Sequence, residues 1–357
     1  MDIYFLPKDE LTDLIEILRE TGKVFWTRER DLPSNLENIR TIRIEELDEE
    51  YIMDYRVPGL RAYDIFKSFL LPLNFKVAEY PDKKWIDVEL NAKKTVLLGL
   101  KSCDLVAFSM LDAVFLEDPE FMDPFYKKNR ESIVIVSSDC SRIGDSCFCN
   151  LLGNTPYATS GFDLNISEVS DGYLLESGSP LGEEILEELS LPGARKKGIE
   201  ERDKRREKVL KDLEKQNSSF QKAFSDLSKL VSEGYYRDEV WEYGSTCVSC
   251  GACTNVCPVC YCFTLFDRFD KKGEKSKRFM VWDSCQYKGF SQMAGGMNPR
   301  FPMMKRFKNR YYHKFFRFYE RYGKYKCTGC GRCIDNCLGD IDMREVLASV
   351  KIGKVVK

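Results

Sequence analysis

The chain has 357 residues, 43% of them hydrophobic and 31% charged, with a formal net charge of −2. That length allows two domains with sizeable cores, and so balanced a charge demands neither a nucleic-acid nor a membrane partner. No stretch approaches the roughly 18 apolar residues of a membrane span, and Met1 to Glu10 lack the basic-then-apolar order of a secretory signal, so a cytoplasmic location is expected.

In chain order, Leu11, Leu14, Ile15 and Leu18 repeat at helical spacing. Thr95 to Leu100 reads as a buried strand, Asp104 to Phe115 as a helix, and Ser132 to Val136 as the next strand. Strand, helix, strand is a βαβ unit, which predicts an α/β N-terminal domain with a partly parallel sheet. Cys103 falls where the first strand meets the helix, and Cys140 follows the second strand. Ligands of open α/β sheets gather at the carboxyl ends of strands, so both cysteines are expected near one site. Pro180 to Glu233 reads as helical, with Ile185, Leu186 and Leu189 on one face. Within it, the charge run from Arg195 to Lys215 reads as a solvated helix face joining two domains. The expected division is an α/β domain over 1–200, a helical linker over 201–240 and a helical cluster-binding domain over 241–357.

Fifteen cysteines in a reduced compartment call for metal or redox chemistry rather than disulfides. Eleven of them lie beyond residue 246. Cys247, Cys250, Cys253 and Cys257 repeat as Cys327, Cys330, Cys333 and Cys337, both in the C-x2-C-x2-C-x3-C spacing of bacterial ferredoxins. Three thiolates from one tight loop cap three corners of a cubane, and the fourth reaches the neighbouring one. The spacing therefore assigns Cys247, Cys250, Cys253 and Cys337 to one [4Fe–4S] cluster and Cys257, Cys327, Cys330 and Cys333 to another. Gly251 and Gly331 hold the same place in each copy, where the backbone must turn sharply. Pro258 follows the first copy; Leu338 replaces it in the second. A pair of zinc ribbons, the competing reading, fits four cysteines within eleven residues poorly. Two coordinatively complete clusters make a wire and offer no open site to a substrate.

Seven cysteines remain. Cys103, Cys140, Cys147 and Cys149 complete a third cluster or are buried small side chains, with a zinc site or a redox disulfide as the remaining alternatives. Cys260, Cys262 and Cys285 are expected to pack near the clusters, where thiol donors help to set potential. Between the quartets, over about 264–326, lies a basic aromatic insertion expected to be helical. Phe307, Tyr311, Phe315, Phe318 and Tyr322 form a stripe meant for the cluster domain, while Lys305, Arg306, Lys308, Arg310, Lys314, Arg317 and Arg321 are expected to face an acidic partner subunit rather than a nucleic acid. His313, the one histidine, reads as structural or exposed. No G-x-G-x-x-G follows a strand and no Walker A motif is present, so no flavin or NAD(P) is expected on the chain itself.

Further pieces stand in a particular order. Gly99 to Asp104 comes first, then Asp123-Pro124-Phe125-Tyr126, Cys147-Phe148-Cys149 and Gly161-Phe162-Asp163. After the first quartet come Cys260-Tyr261-Cys262-Phe263, Trp282 to Cys285 and Ala294 to Arg300. From near Thr95 to near Asp342 the chain resembles an iron–sulfur electron-transfer component shared by two systems, the soluble archaeal sulfhydrogenases, where it is the beta subunit, and the anaerobic sulfite reductases. Met297 stands where that family leads one to expect histidine. The resemblance implies a relay that passes single electrons from an NAD(P)H- or flavin-binding partner to a catalytic partner of hydrogenase or sulfite reductase type, or in the reverse direction. The rival reading is a self-contained oxidoreductase with its active site in the N-terminal domain, which turnover by the isolated chain would reveal.

Overall fold

A computed structural model describes residues 2–29, 42–47, 56–80, 94–270, 272 and 275–352. The chain divides into two compact units built from non-contiguous pieces. The first comprises Met1–Phe66, Asn91–Ser218 and Thr328–Cys330; the second comprises Lys67–Leu90, Ser219–Cys327 and Gly331–Lys357.

In the first unit, β1 (Ile3–Pro7), β2 (Gly22–Glu29), β3 (Ile42–Glu46), β5 (Lys94–Leu100), β6 (Ile133–Ser138), β7 (Leu164–Val169) and β8 (Gly172–Ser177) form one sheet. Its order is β1-β8-β7-β6-β5-β2-β3. The four central strands β7, β6, β5 and β2 run parallel, while β1, β8 and β3 pair antiparallel at the flanks. β5 and β6 are almost continuous apolar runs, as strands covered on both faces must be. Alternate residues Val96, Leu98, Val134 and Val136 pack with Leu14 and Leu18 of helix α1 (Leu11–Thr21). Helix α2 (Ser102–Phe115) leaves β5 one residue after the strand ends, and α3 (Pro124–Glu131) leads into β6. The expected βαβ unit is therefore β5-α2-β6. Helix α4 (Pro180–Leu189) adds Ile185 and Leu186 to the same core.

The charge run forms α5 (Lys196–Gln216), and here the structure corrects the sequence reading. Its inner face is not simply solvated. The Arg206 guanidinium binds the Asp139 carboxylate at 2.7 Å and that of Glu176 at 2.9 Å; Arg202 binds Glu176 at 2.9 Å. All of these side chains are at most 15% exposed. Carboxylates at the ends of β6 and on β8 recruit the arginines, so α5 packs on the sheet instead of spanning open space.

In the second unit, β4 (Asn74–Tyr80) pairs with β10 (Ser276–Trp282), which pairs with β9 (Phe263–Phe269), giving a three-stranded antiparallel sheet. The insertion expected to be helical thus begins as a hairpin. Helices follow: α6 (Leu227–Gly234), α7 (Met303–Tyr312) and α8 (Met343–Ile352). α7 continues through a wider π turn at His313–Arg317 into Phe318–Tyr322. The aromatic stripe does pack inward: Phe307, Tyr311, Phe315 and Phe318 are buried, the first two against the fully buried Trp241.

Removing the Arg206 guanidinium by Arg206→Ala leaves the largely buried Asp139 carboxylate without its ion pair, while Glu176 keeps Arg202. The expected cost is about 3 kcal/mol, read as earlier urea unfolding of the α/β unit by circular dichroism. A loss below about 0.5 kcal/mol would show that these charges behave as surface pairs.

Candidate metal centres

The two cysteine loops share one backbone conformation. Gly251 and Gly331, each after the second cysteine, have φ +76°. The residues before those cysteines, Ser249 and Gly329, are left-handed as well, at φ 55° and 69°. Each loop then enters a single helical turn, Ala252–Asn255 or Arg332–Asp335, that carries the third cysteine. Side chains other than glycine resist this conformation, so the glycine expected at 251 and 331 is required there. The result is a pair of tight arcs of one backbone form, the first of which presents all three of its leading thiols to one recess.

Cys247, Cys250, Cys253 and Cys337, the set assigned to one cluster by spacing, line a single recess of about 510 Å³ together with Cys333. Its walls are Phe307, Tyr311, Ile341 and Met343, with the Arg310 guanidinium in the lining. Arg310 is buried, makes a 3.5 Å contact to the Cys253 carbonyl, and its Nε finds no hydrogen-bond partner. Burial pushes the Cys253 thiol up to about 11, with the Arg310 charge working the other way. An anionic guest ligated by thiolates resolves both costs, because ligation removes the protons and gives the guanidinium a counter-charge. The Cys250 side of the recess is exposed.

Of the second set, Cys257 and Cys327 are buried and Cys333 is half-buried in the second unit, while Cys330 belongs to the first. Two buried ammonium groups meet the Cys257 loop. Lys314 Nζ lies 3.3 Å from Cys257 Sγ and 2.8 Å from the Lys326 carbonyl. Lys67 Nζ donates to the carbonyls of Cys257 at 3.0 Å and Cys260 at 2.5 Å. Burial works against the Lys314 charge, but the thiolates of Cys257, Cys260 and Cys327 more than offset it and hold its pKa up. Lys326, stacked on the Tyr261 ring, is lowered to about 8 by burial. Cys260 is in side-chain contact with Cys257, and Cys262 with Cys285. The expectation that the basic helix turns its charges outward is corrected here: Arg306, Arg310 and Lys314 point inward, Lys308 binds Asp238, and only Lys305, Arg317 and Arg321 are exposed. His313 is half-buried, and burial followed by the charges of Lys326, Lys314 and Arg300 lowers its pKa to about 3, so it stays neutral.

The first unit holds the other four thiols. Cys103, at the start of α2, and Cys140, after β6, sit at the carboxyl ends of neighbouring strands, and with Cys147 and Cys149 they line a recess of about 370 Å³. Gln216 and Asn217, at the end of α5, donate to the Cys147 carbonyl at 2.9 and 3.0 Å and pin that loop. Lys101, fully buried, ties Ser138 and Asp139 together with 2.8 Å bonds beside Cys140. Burial pushes the Cys140 thiol up to about 12 against the pull of Lys101. The wall is completed by Gly329 and Cys330: the Phe148 amide donates to the Gly329 carbonyl at 2.8 Å, and Arg61 donates to the Cys330 carbonyl. Among the described residues no three metal-binding side chains converge tightly enough for a single ion.

Residues 246–341 match the 4Fe-4S dicluster domain. Over 98% of its length the chain is 31% identical to sulfhydrogenase 2 subunit beta of Pyrococcus furiosus, covering 98% of that protein. The chain belongs to the sulfhydrogenase beta-subunit family. It is an iron–sulfur electron-transfer subunit, and no helix among its described residues is long and apolar enough to cross a membrane. No solved structure matches it. The sequence reading of this beta-subunit relative missed the inward cations Lys67, Lys101, Arg306, Arg310 and Lys314. For three of the buried cations a signal existed: Arg306, Arg310 and Lys314 repeat every four residues, each directly before a buried aromatic, Phe307, Tyr311 or Phe315. They flank the apolar stripe rather than oppose it.

Gly329 tests the packing of the second loop on the N-terminal thiols. A Cβ there would fall 2.5 Å from the Cys149 backbone, whereas at Gly153, also left-handed, it meets nothing. Gly153→Ala is expected to cost about 1 kcal/mol of strain, and Gly329→Ala a further 1–3 kcal/mol, roughly, from overpacking. Equal losses in thermal unfolding would refute the described contact.

Proposed function

We propose that this beta-subunit relative carries three [4Fe–4S] clusters and passes single electrons between two partners, one a flavin- and NAD(P)-binding protein and the other a catalytic protein of hydrogenase or sulfite reductase type. Cys247, Cys250, Cys253 and Cys337 ligate one cluster, and Cys257, Cys327, Cys330 and Cys333 the second. Cys103, Cys140, Cys147 and Cys149 ligate the third. The observation that carries the reading is the double use of one loop. Cys330 stands in the second quartet by spacing, and its carbonyl lies 4.0 Å from the Cys147 thiol in the wall of the N-terminal recess. A third cluster in that recess would have a ligand of the second as its neighbour, which is what a chain of one-electron carriers needs.

The clusters supply electron storage with every iron fully ligated; the protein's part is to hold the thiolates, exclude water and supply counter-charge. Cys260, Cys262 and Cys285 serve as packing and as thiol neighbours of the cluster loops. The exposed side of the first recess, at Cys250, is the point of entry or exit for electrons, and the cytoplasm is the compartment that keeps all fifteen thiols usable.

Anaerobically purified protein is expected to hold about 12 iron atoms per chain, four per cubane. Cys147→Ser is expected to lower that to about 8 while leaving the two ferredoxin-type signals in electron paramagnetic resonance. Eight iron atoms in the unaltered chain would remove the N-terminal cluster from the scheme. In the assembled complex, Cys250→Ser or Cys330→Ser is expected to cut NAD(P)H-coupled turnover by about 100-fold or more, while the catalytic partner stays active with an artificial donor. Undiminished coupled turnover would contradict the relay.

A further inference from the structure

We propose that Lys314 sets the reduction potential of the cluster to which Cys257 belongs, by donating a hydrogen bond to that ligand's thiolate. The proposal rests on the electron-transfer reading above and adds to it a residue that tunes one cluster selectively.

Three observations carry it. First, Lys314 Nζ is fixed from two sides, 3.3 Å from Cys257 Sγ and 2.8 Å from the Lys326 carbonyl, with the residue only 2% exposed. Second, among the described residues neither Lys314 nor its neighbour Lys67, also 2% exposed, has a carboxylate partner. A buried ammonium without an opposite charge costs several kcal/mol, so the anion that keeps both lysines inside is the sulfur they face. Lys67 reaches it through the Cys257 and Cys260 carbonyls, with its ammonium 3.9 Å from the Trp282 ring. Third, Lys314 lies in the π turn His313–Arg317. A π turn is rare and adds one residue to a helical turn. Here it carries Lys314 and Phe315 inward together, where both are buried.

The electrochemical consequence follows from charge alone. Reduction adds one electron to the cluster and breaks no bond. A hydrogen bond and a positive charge at a ligating sulfur stabilise the more negative, reduced form more than the oxidised one. The thiols of the other recess of the second unit face a guanidinium, Arg310, whose contact is to the Cys253 carbonyl. Lys314 therefore acts on one cluster of the pair.

The test is a potentiometric titration of the anaerobic full-length protein followed by electron paramagnetic resonance. Lys314→Met, close in volume but uncharged, is expected to shift the reduction equilibrium of one cluster at least tenfold toward the oxidised form, about 59 mV for a one-electron couple. The shifted signal should be the one altered in Cys257→Ser, and Lys314→Arg should move it less. Unmoved potentials, or all clusters shifting together, would overturn the assignment. Should Lys314→Met lose iron, Lys67→Met is titrated instead, with the same two readings. If the unaltered protein gave no reduced-cluster signal, the electron-transfer reading itself would fall, a result distinct from either.

Discussion

Sulfur buried inside protein is the constraint around which the second unit is arranged. A thiolate out of water costs several kcal/mol unless hydrogen bonds or cations meet it, and a cubane with four thiolates multiplies that demand. The second unit answers with Arg310 at one recess and with Lys314 and Lys67 at the Cys257 loop. In the first unit Lys101 and Arg61 brace the loops around Cys140 and Cys330. At Lys314 the burial is matched by the Cys257 sulfur it faces, whereas Lys101 also has Asp139 and Asp104 as opposite charges. Folding and metal loading are thereby coupled: without iron the thiols must take up protons, and the cations lose their counter-charge.

Much of this was legible in the sequence because it is local. The quartet spacing prescribes the arcs, and Gly251 and Gly331 occupy the left-handed positions that such arcs need. The apolar runs of β5 and β6 with α2 between them announce a parallel pair, and Cys103 and Cys140 follow at its carboxyl edge. What escaped was non-local. β4 lies almost 200 residues before its partner β10, and pairing at that separation leaves no periodic trace in either strand. The Arg206 network depends on Asp139 and Glu176, far off in sequence, so its helix looked like a solvated rod. Lys314 was read as surface because charge usually marks solvent; the rule fails where the buried partner is an anion outside the amino-acid alphabet.

The segment Thr328–Cys330 packs with the α/β unit although it lies within the second cysteine loop. These three residues cluster with the α/β unit while the rest of their loop clusters with the other. The Gly329 carbonyl receives the Phe148 amide, and its Cα packs so closely on Cys149 that no side chain fits. The same three residues contain Cys330, whose spacing commits it to the second quartet. On the proposed ligand sets, the segment that supplies Cys330 also walls the N-terminal recess. Of the N-terminal thiols, Cys103 and Cys140 follow the ends of β5 and β6, and the Cys147 loop is pinned by Gln216 and Asn217. In a one-electron chain the protein's task is to hold distances and potentials constant, and a loop anchored in a packed sheet does both.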